Sequence, residues 1–233
     1  MGAISHEADF YIHDVAKYTI GGHELYFTTT HVGMAIITIF LVVLLIFARR
    51  RMMKAEEVPG TFQLILETIV EMLDGMITSN MGKFAKPYLN YISILFIYIL
   101  TCNIGGIVGL RSPTADYGVT LALALITFVI LHYNAIKYNL KDSLKGYLDP
   151  FPVFLPVNII SELATPVSMS LRLFANMLSG TIIMALWYGL LPFFMKIGIP
   201  SFLHIYFDLF SGAIQTYVFC MLTMIFTVQK REG

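Results

Sequence analysis

Long apolar runs separated by short polar stretches make up most of this 233-residue chain. The runs at 28–47, 88–110 and 117–136 each reach the roughly 20 residues that a helix needs to cross a bilayer. Two longer runs follow at 152–195 and 200–228. The pattern predicts an all-α polytopic membrane protein with five to six membrane helices, in which the last two runs form a long hairpin.

The hairpin's first run is too long for one helix that stands perpendicular to the membrane, so we expect it to tilt, break or lie partly in the membrane plane. Residues 1–27 form a polar N-terminal arm, and 28–233 form a single membrane domain. No internal repeat and no separate soluble domain are evident.

The segment 61–77 has a different pattern, because its apolar residues recur at helical spacing and its acidic residues fall on the other face. The apolar face consists of Phe62, Ile65, Leu66, Ile69, Val70, Leu73, Met76 and Ile77. The acidic residues are Glu67, Glu71 and Asp74. This indicates an amphipathic helix at the membrane interface or against a partner. A helix folded onto the protein's own cytoplasmic side fits the pattern equally well.

Composition and charge place the chain in a membrane. It is 57% hydrophobic and 13% charged, whereas a soluble domain is about half apolar and a quarter charged. Its net charge of zero offers no basic surface for nucleic acid. Basic clusters follow the first and third spans, which predicts an N-terminus outside and a C-terminus in the cytoplasm by the positive-inside rule. The clusters are Arg49, Arg50, Arg51 and Lys54, then Lys137, Lys141 and Lys145.

The N-terminus lacks a basic segment followed by an apolar core, so we expect no cleavable signal peptide. The absence of a transit peptide favours a multi-pass protein of a bacterial plasma membrane, although an organelle-encoded protein would look the same. Cys102 and Cys220 lie in separate apolar runs. Without metal-ligand spacing, they are interpreted as buried small hydrophobic residues, and no metal site is predicted.

Arg172 is the residue that most needs an explanation, because Glu162 is the only other charged residue between Phe151 and Met195. Placing an arginine at the centre of a membrane helix costs about 2.5–3.5 kcal/mol on insertion scales. Arginine stays protonated at any accessible pH, so it can act as a fixed positive charge but hardly as a proton carrier.

Spacing sorts the polar residues of the last two runs into two stripes. Ser168, Arg172, Asn176 and Ser179 share one helical face, and His204, Asp208, Ser211 and Gln215 share another. Hydrogen bonds between helices, worth ~0.6 kcal/mol each, explain the serines and threonines. Ionisable groups such as Arg172, Asp208 and Glu162 instead mark ion or substrate paths.

Three other polar residues are less decisive. His204 could be a proton relay or an interfacial residue at a helix end. Asn158 and Thr181 are interpreted as structural unless they line the cavity.

These residues carry a resemblance to a known family. Ser170-Leu-Arg-Leu-Phe-Ala-Asn-Met177, preceded by Pro166-Val-Ser-Met, closely resembles the signature of subunit a of the F-type ATP synthase. The resemblance extends over nearly the whole chain. It includes Val58-Pro-Gly-Thr-Phe-Gln63, Ser112-Pro-Thr-Ala-Asp116, Phe154-Leu-Pro-Val-Asn-Ile-Ile160 and Gln215 on the last helix.

The resemblance implies an ion-translocating stator subunit whose tilted hairpin lies along a ring of c subunits. Arg172 would face the ring, whose membrane-embedded carboxylates bind the transported ion, and Asn176 and Gln215 would line the site near it. Glu162 would belong to the cytoplasmic half-channel, and Asp208 and His204 to the outer one.

The implied partners are the c-subunit ring, the b-subunit peripheral stalk, other ATP synthase subunits and the lipid bilayer. No cofactor is implied beyond the transported H⁺ or Na⁺. The chain has no Walker A loop and no other motif for covalent chemistry, so ATP chemistry is expected in the partner subunits.

Two departures from the family pattern leave the ion open between H⁺ and Na⁺. Thr181 stands where many members carry Glu or His, and the acidic residue is found instead at Asp208. Asn103-Ile-Gly-Gly106 stands where some members carry an aspartate.

Two other functions fit the same residues less well. A stand-alone secondary transporter or channel is one alternative, although the two similar halves that many transporters show are absent here. A structural scaffold is the other, and it predicts that Arg172 pairs permanently with Glu162 or Asp208.

Overall fold

A computed structural model of the chain describes residues 14–20, 23–53, 60–108, 112–148, 151–190 and 199–232. Some of the sequence-based predictions concern residues outside these ranges. They are residues 1–13, 21 and 22 of the N-terminal arm, Lys54 of the first basic cluster, Val58 and Pro59 of the 58–63 motif, and the ends of the 88–110 and 152–195 runs.

The N-terminal arm contains a β-hairpin that its polar composition did not reveal. Strand β1, Asp14–Ile20, pairs antiparallel with strand β2, His23–Thr28. Ile20 lies opposite His23, and the register is irregular between Asp14 and Ala16. The first helix begins directly after β2.

Helices form the rest of the described chain. They are α1 Thr29–Met52, α2 Thr61–Met81, α3 Leu89–Ile104, α4 Tyr117–Leu148, α5 Leu155–Leu190, α6 Ile199–His204 and α7 Gly212–Glu232. Four helical stretches are long and apolar enough to cross a membrane, and α3 is a shorter apolar helix. The predicted all-α polytopic class is therefore confirmed for the membrane domain.

Helix α5 runs through 36 residues without a break. At 1.5 Å per residue it is ~54 Å long, well beyond the ~30 Å hydrocarbon core. Pro166 lies inside it, buried. A proline has no N–H to donate to the carbonyl of residue 162, yet the helix continues. Of the three predicted possibilities, a break is thus not observed between residues 155 and 190.

A π-helical segment, Ile205–Ser211, joins α6 to α7. It carries Asp208, the buried carboxylate of this part of the chain. A π-turn contains an extra residue per turn, and such turns often occur at functional sites. The sequence spacing, interpreted as regular α-helix, did not predict it.

The core lies between α2, α3, α4, α5 and α7. Its most deeply buried large side chains include Ile77, Ile92, Ile99, Leu173, Phe219 and Met224. By contrast, apolar side chains of α1 from Ile36 to Phe47 are largely exposed, as expected for a helix in contact with lipid. Leu173 is fully buried while the adjacent Arg172 is exposed, so α5 turns its arginine away from the core.

Helix α2 shows features of both predicted placements. Its C-terminal half packs into the bundle through Leu73, Ile77 and Met81. Its N-terminal half leaves Phe62 and Ile65 exposed, beside an apolar groove of about 800 Å³ between α1, α2 and α3. The amphipathic helix thus folds onto its own protein only in part.

A buried polar network fixes α3 against the loop that follows it and against α7. Asn103 Nδ2 donates to the carbonyl of Gly212 and to Thr216 Oγ1, both at 3.0 Å. Thr114 Oγ1 donates to Asn103 Oδ1 at 2.7 Å. Ser112 Oγ lies 2.6 Å from Thr114 Oγ1 and donates to the carbonyl of Cys102. Because each of these hydroxyls and the Asn103 amide has a partner, the network can lie in an apolar interior.

We expect Asn103→Leu to destabilise the protein by about 2 kcal/mol, since it removes three hydrogen bonds worth ~0.6 kcal/mol each in a membrane bundle. The measurement is the midpoint of thermal unfolding in detergent. Asn90→Leu is the matched control, because Asn90 is an exposed residue of the same helix and surface substitutions usually stay within about 0.5 kcal/mol. Equal midpoints for the two variants would contradict this account.

Candidate functional site

Arg172 lies on the exposed face of α5, together with Ser168, Ala175 and Ser179. Across the described part of the chain, no hydrogen bond or ion pair reaches its guanidinium group, and the carboxylates of Glu162 and Asp208 bind other side chains. A guanidinium group carries five N–H donors in a fixed fork. Here these donors point outward from the bundle's surface, toward whatever covers that face.

The two predicted polar stripes meet at Asn176 and Ser211. Ser211 Oγ donates to Asn176 Oδ1 at 2.9 Å, and Asn176 Nδ2 donates to the carbonyl of Ser211 at 3.4 Å. A second contact joins Glu162 to Lys230. Glu162 comes 14 residues before Asn176 on α5, and Lys230 comes 19 residues after Ser211 on α7. The two helices therefore run antiparallel, and these contacts fix their relative levels.

This register places Gln215 at the level of Arg172. Arg172 comes four residues before Asn176, and Gln215 four residues after Ser211, so each lies about 6 Å from the linked pair in the same direction. Gln215 is buried, and its Nε2 has no partner within the described structure. An unsatisfied buried amide is costly, so this donor is available to a water molecule or to an acceptor on a partner's side chain.

The carboxylate of Asp208 pairs with a histidine. This pair lies nearer to α6 than the level of Arg172 and Gln215 does. His204 Nδ1 lies 2.6 Å from Asp208 Oδ2, so the two side chains share a short hydrogen bond. The carboxyl group rests against Gly106, where an added Cβ would stand 3.0 Å from Asp208 Cγ and Oδ2. Gly106 thus leaves the space that the Asp208 carboxylate occupies.

The other carboxylate, Glu162, belongs to a cluster built from three helices. Its Oε1 accepts a hydrogen bond from Lys230 Nζ of α7 and lies 3.2 Å from His132 Nε2 of α4. Glu162 is ten residues before Arg172, about 15 Å along α5. Asp208 lies on the opposite side of Arg172, about 10 Å away along the helices. The arginine is therefore located between two carboxylate clusters.

The remaining predicted site residues lie at other positions of α5. Ser179 Oγ donates to the carbonyl of Asn176 at 2.9 Å, and Thr181 Oγ1 to that of Leu178 at 2.8 Å. Ser168 is exposed on the Arg172 face, and Asn158 is half-buried near the beginning of α5. Thr181 is thus satisfied within its own helix, which fits its predicted structural role.

Sequence reasoning missed His132 and Lys230 as partners of Glu162. Lys230 lies in the short charged stretch that follows the last apolar run. His132 is the one histidine in the third apolar run, and an ionisable residue within a membrane span is itself a signal of function.

The comparisons with known proteins agree with the resemblance. A family model described as the ATP synthase A chain matches residues 32–228. A protein of Propionigenium modestum named "ATP synthase subunit a, sodium ion specific" is 34% identical over 220 residues, covering 85% of this chain and 72% of that protein. ATP synthase subunit a of Streptococcus agalactiae serotype III is 33% identical over 226 residues, with coverages of 89% and 92%. That of Moorella thermoacetica is 29% identical over 225 residues, with coverages of 96% and 99%.

Proposed function

Because this chain belongs to the ATP synthase subunit a family, which its match over residues 32–228 shows, we propose that it is the ion-translocating stator subunit of that complex. It is a multi-pass membrane protein of a bacterial ATP synthase. The observation that carries the proposal is the position of Arg172, exposed on α5 between the Glu162 cluster and the Asp208 pair.

The proposed role of Arg172 is electrostatic. A ring of c subunits, each with a carboxylate in the membrane, would turn past the exposed face of α5. A cation about 4 Å from a carboxylate is worth ~4 kcal/mol at an effective dielectric constant of 20. Arg172 would therefore favour the ionised carboxylate, release its ion and prevent an ion-loaded carboxylate from passing between the two paths.

Two half-channels would supply and remove the ion, H⁺ or Na⁺. The basic residues at the ends of α1 and α7 favour a cytoplasmic location for those ends by the positive-inside rule. Glu162, bound to Lys230 near the end of α7, would then serve the cytoplasmic half-channel. The Asp208 and His204 pair would serve the outer one. Asn176 and Gln215 would line the site near Arg172, between the two half-channels.

The exposed surface around Arg172 suits a partner helix. Leu171 and Ile183 of α5, Phe210 of the π segment and Ile214 of α7 leave large apolar side chains exposed. Such a surface can pack against c subunits within the bilayer. The b-subunit peripheral stalk and the remaining ATP synthase subunits are the other proposed partners.

Different observations argue against the two alternatives, a stand-alone transporter or channel and a structural scaffold. Membership of the family argues against a stand-alone transporter or channel. A scaffold predicts that Arg172 pairs with Glu162 or Asp208, whereas in the described structure Glu162 binds Lys230 and His132, and Asp208 binds His204.

The test is ATP-driven ion uptake into sealed vesicles by the assembled complex, with and without added sodium, for wild type and Arg172→Ala. We expect the variant to lose uptake while the catalytic portion still hydrolyses ATP. Sodium dependence of the wild type would identify the ion. Normal uptake by the variant would refute the proposal.

Gly106→Ala should lower ion pumping several-fold, because its methyl group would displace the Asp208 carboxylate from its position beside His204. The added Cβ would lie 3.0 Å from the Asp208 carboxyl group, which is closer than an ordinary van der Waals contact. Gly105→Ala is the matched control: its Cβ would lie 3.7 Å from Ile37 Cδ1, an ordinary contact. ATP-driven uptake by both variants is the measurement, and similar rates for the two would argue against this packing role.

A further inference from the structure

His132 has both ring nitrogens in hydrogen-bonding positions, which limits where its protons can be. Nδ1 lies 3.0 Å from the carbonyl oxygen of Phe128, and a carbonyl only accepts, so Nδ1 must carry a proton. Nε2 lies 3.2 Å from Glu162 Oε1. Either Nε2 is also protonated and donates to an ionised carboxylate, or a protonated Glu162 donates to Nε2.

One proton can therefore move between His132 and Glu162 while the heavy atoms keep their positions. Phe128, whose ring centroid lies 3.9 Å from that of His132, holds the imidazole from the side. Lys230 donates to the same Oε1 and favours the ionised carboxylate. It thereby directs the shared proton toward Nε2.

The chemistry of the cluster favours a proton over a sodium ion at this point. The partners of Glu162 Oε1 include the nitrogens of His132 and Lys230. Hard cations prefer several oxygen ligands, and an ammonium group has no lone pair to offer. Sodium would have to displace Lys230 from the carboxylate, whereas a proton can pass to the imidazole and leave Lys230 in place.

On this basis we propose that His132 is an ion-path residue, whose Nε2 exchanges with Glu162 the proton that crosses the half-channel on this side of Arg172. This inference rests on the proposed stator function and deepens it by specifying the ion at this end. The side chain of His132 is 31% exposed and that of Glu162 14%, so the imidazole is the more exposed of the two groups. It can exchange protons with water and pass them inward.

Other charged and titratable groups lie close to this cluster and define its electrostatic surroundings. Arg231, next to Lys230, stacks on the rings of Phe84, Tyr88 and Tyr138 at 4.6, 5.7 and 4.1 Å. Tyr88 donates to Asn134 of α4. Through these contacts the end of α7 is held against α3 and α4, which keeps Lys230 beside Glu162.

The experiment measures proton conduction through vesicles that carry the complete membrane part of the complex, with the catalytic portion removed, in the absence of sodium. His132→Gln keeps a hydrogen-bond donor near Glu162 but cannot take a second proton. We expect conduction to fall roughly tenfold, which is less than the roughly 10²-fold or larger effect of a typical acid–base group, because water can replace part of the role. The remaining conduction should lose the part of its pH dependence that proton exchange at the imidazole contributes.

The control is His31→Gln, at the beginning of α1, where His31 Nδ1 lies 2.8 Å from Thr28 Oγ1. It should keep the wild-type rate and pH profile. Lys230→Gln is a second variant that leaves His132 intact. Removing this cation changes the electrostatic surroundings of the shared proton, so the pH profile of conduction should differ from that of the wild type.

Wild-type conduction and pH dependence in His132→Gln would overturn the assignment. So would an unchanged pH profile in Lys230→Gln, which also decides the case if His132→Gln fails to assemble. The outcome can be separated from the stator proposal, because normal pumping by Arg172→Ala refutes the stator role whatever His132 does. Loss of pumping in Arg172→Ala together with normal conduction in His132→Gln refutes only the role of His132.

Discussion

Vesicles that carry the complete complex with Arg172→Ala are expected to leak ions when nucleotide is withheld and rotation has stopped, and to pump none when ATP is added. Arg172 provides the charge that discharges each passing carboxylate. An interaction of ~4 kcal/mol corresponds to a factor of roughly 10³ between the two protonation states. Without it, ion-loaded carboxylates can cross between the half-channels, so the gradient dissipates without rotation. Decay of an imposed gradient measures the leak, and ATP-driven uptake measures coupling.

Two further variants show that the charge and its geometry are responsible. Arg172→Lys should give intermediate coupling, because an ammonium is a point charge whose pKa can fall in a dry site. Leu163→Ala, at an exposed position nine residues before Arg172 and therefore on the opposite side of the same helix, should behave as wild type. A tight, non-leaking Arg172→Ala membrane would contradict the proposed separation of the two paths.

Asp208→Ala is expected to reduce ATP-driven pumping about 10²-fold, as removal of a proton-transferring group typically does. The structure also predicts where a carboxylate could be restored. Since a Cβ on Gly106 would stand 3.0 Å from the Asp208 carboxyl carbon, an aspartate at position 106 would place its own carboxylate in the vacated space. The double variant Gly106→Asp with Asp208→Ala should therefore pump clearly faster than Asp208→Ala alone.

The matched control moves the new carboxylate by one residue. Gly105→Asp with Asp208→Ala places the acid toward Ile37 of α1, so this double variant should stay as slow as the single one. Equal rates for all three variants would mean that the outer half-channel does not depend on a carboxylate at this location. The readout is the initial rate of ion uptake, normalised to the amount of complex in the membrane.

Helical periodicity was enough to predict the two polar stripes, because the residues of each stripe belong to one helix. Arg172 and Asn176 are one turn apart, and Ser211 and Gln215 are one turn apart, so spacing alone placed each pair on one face. The observed hydrogen bond between Asn176 and Ser211 joins the two predicted stripes. Which charge each carboxylate would bind was not predictable, because that depends on packing between helices far apart in sequence.

The Glu162 cluster shows this limit most clearly. His132, Glu162 and Lys230 come from α4, α5 and α7, and no local pattern relates them. Asn103 is a similar case, since its partners Thr114 and Thr216 lie in the following loop and in α7. Two elements of secondary structure differ from the prediction. They are a β-hairpin in the N-terminal arm and a π segment around Asp208, and the spacing of apolar residues indicates neither of them.

The π segment also determines which length changes the last helix can tolerate. A π-turn is equivalent to one residue inserted into an α-helix. Deleting a single residue other than Asp208 between Ile205 and Ser211 would restore regular α-helix, and α6 would keep its orientation relative to α7. A one-residue deletion within α7 has no such turn to absorb it and would rotate the preceding part of the helix by about 100°. Ion transport should therefore tolerate a deletion in the π segment better than a deletion in α7.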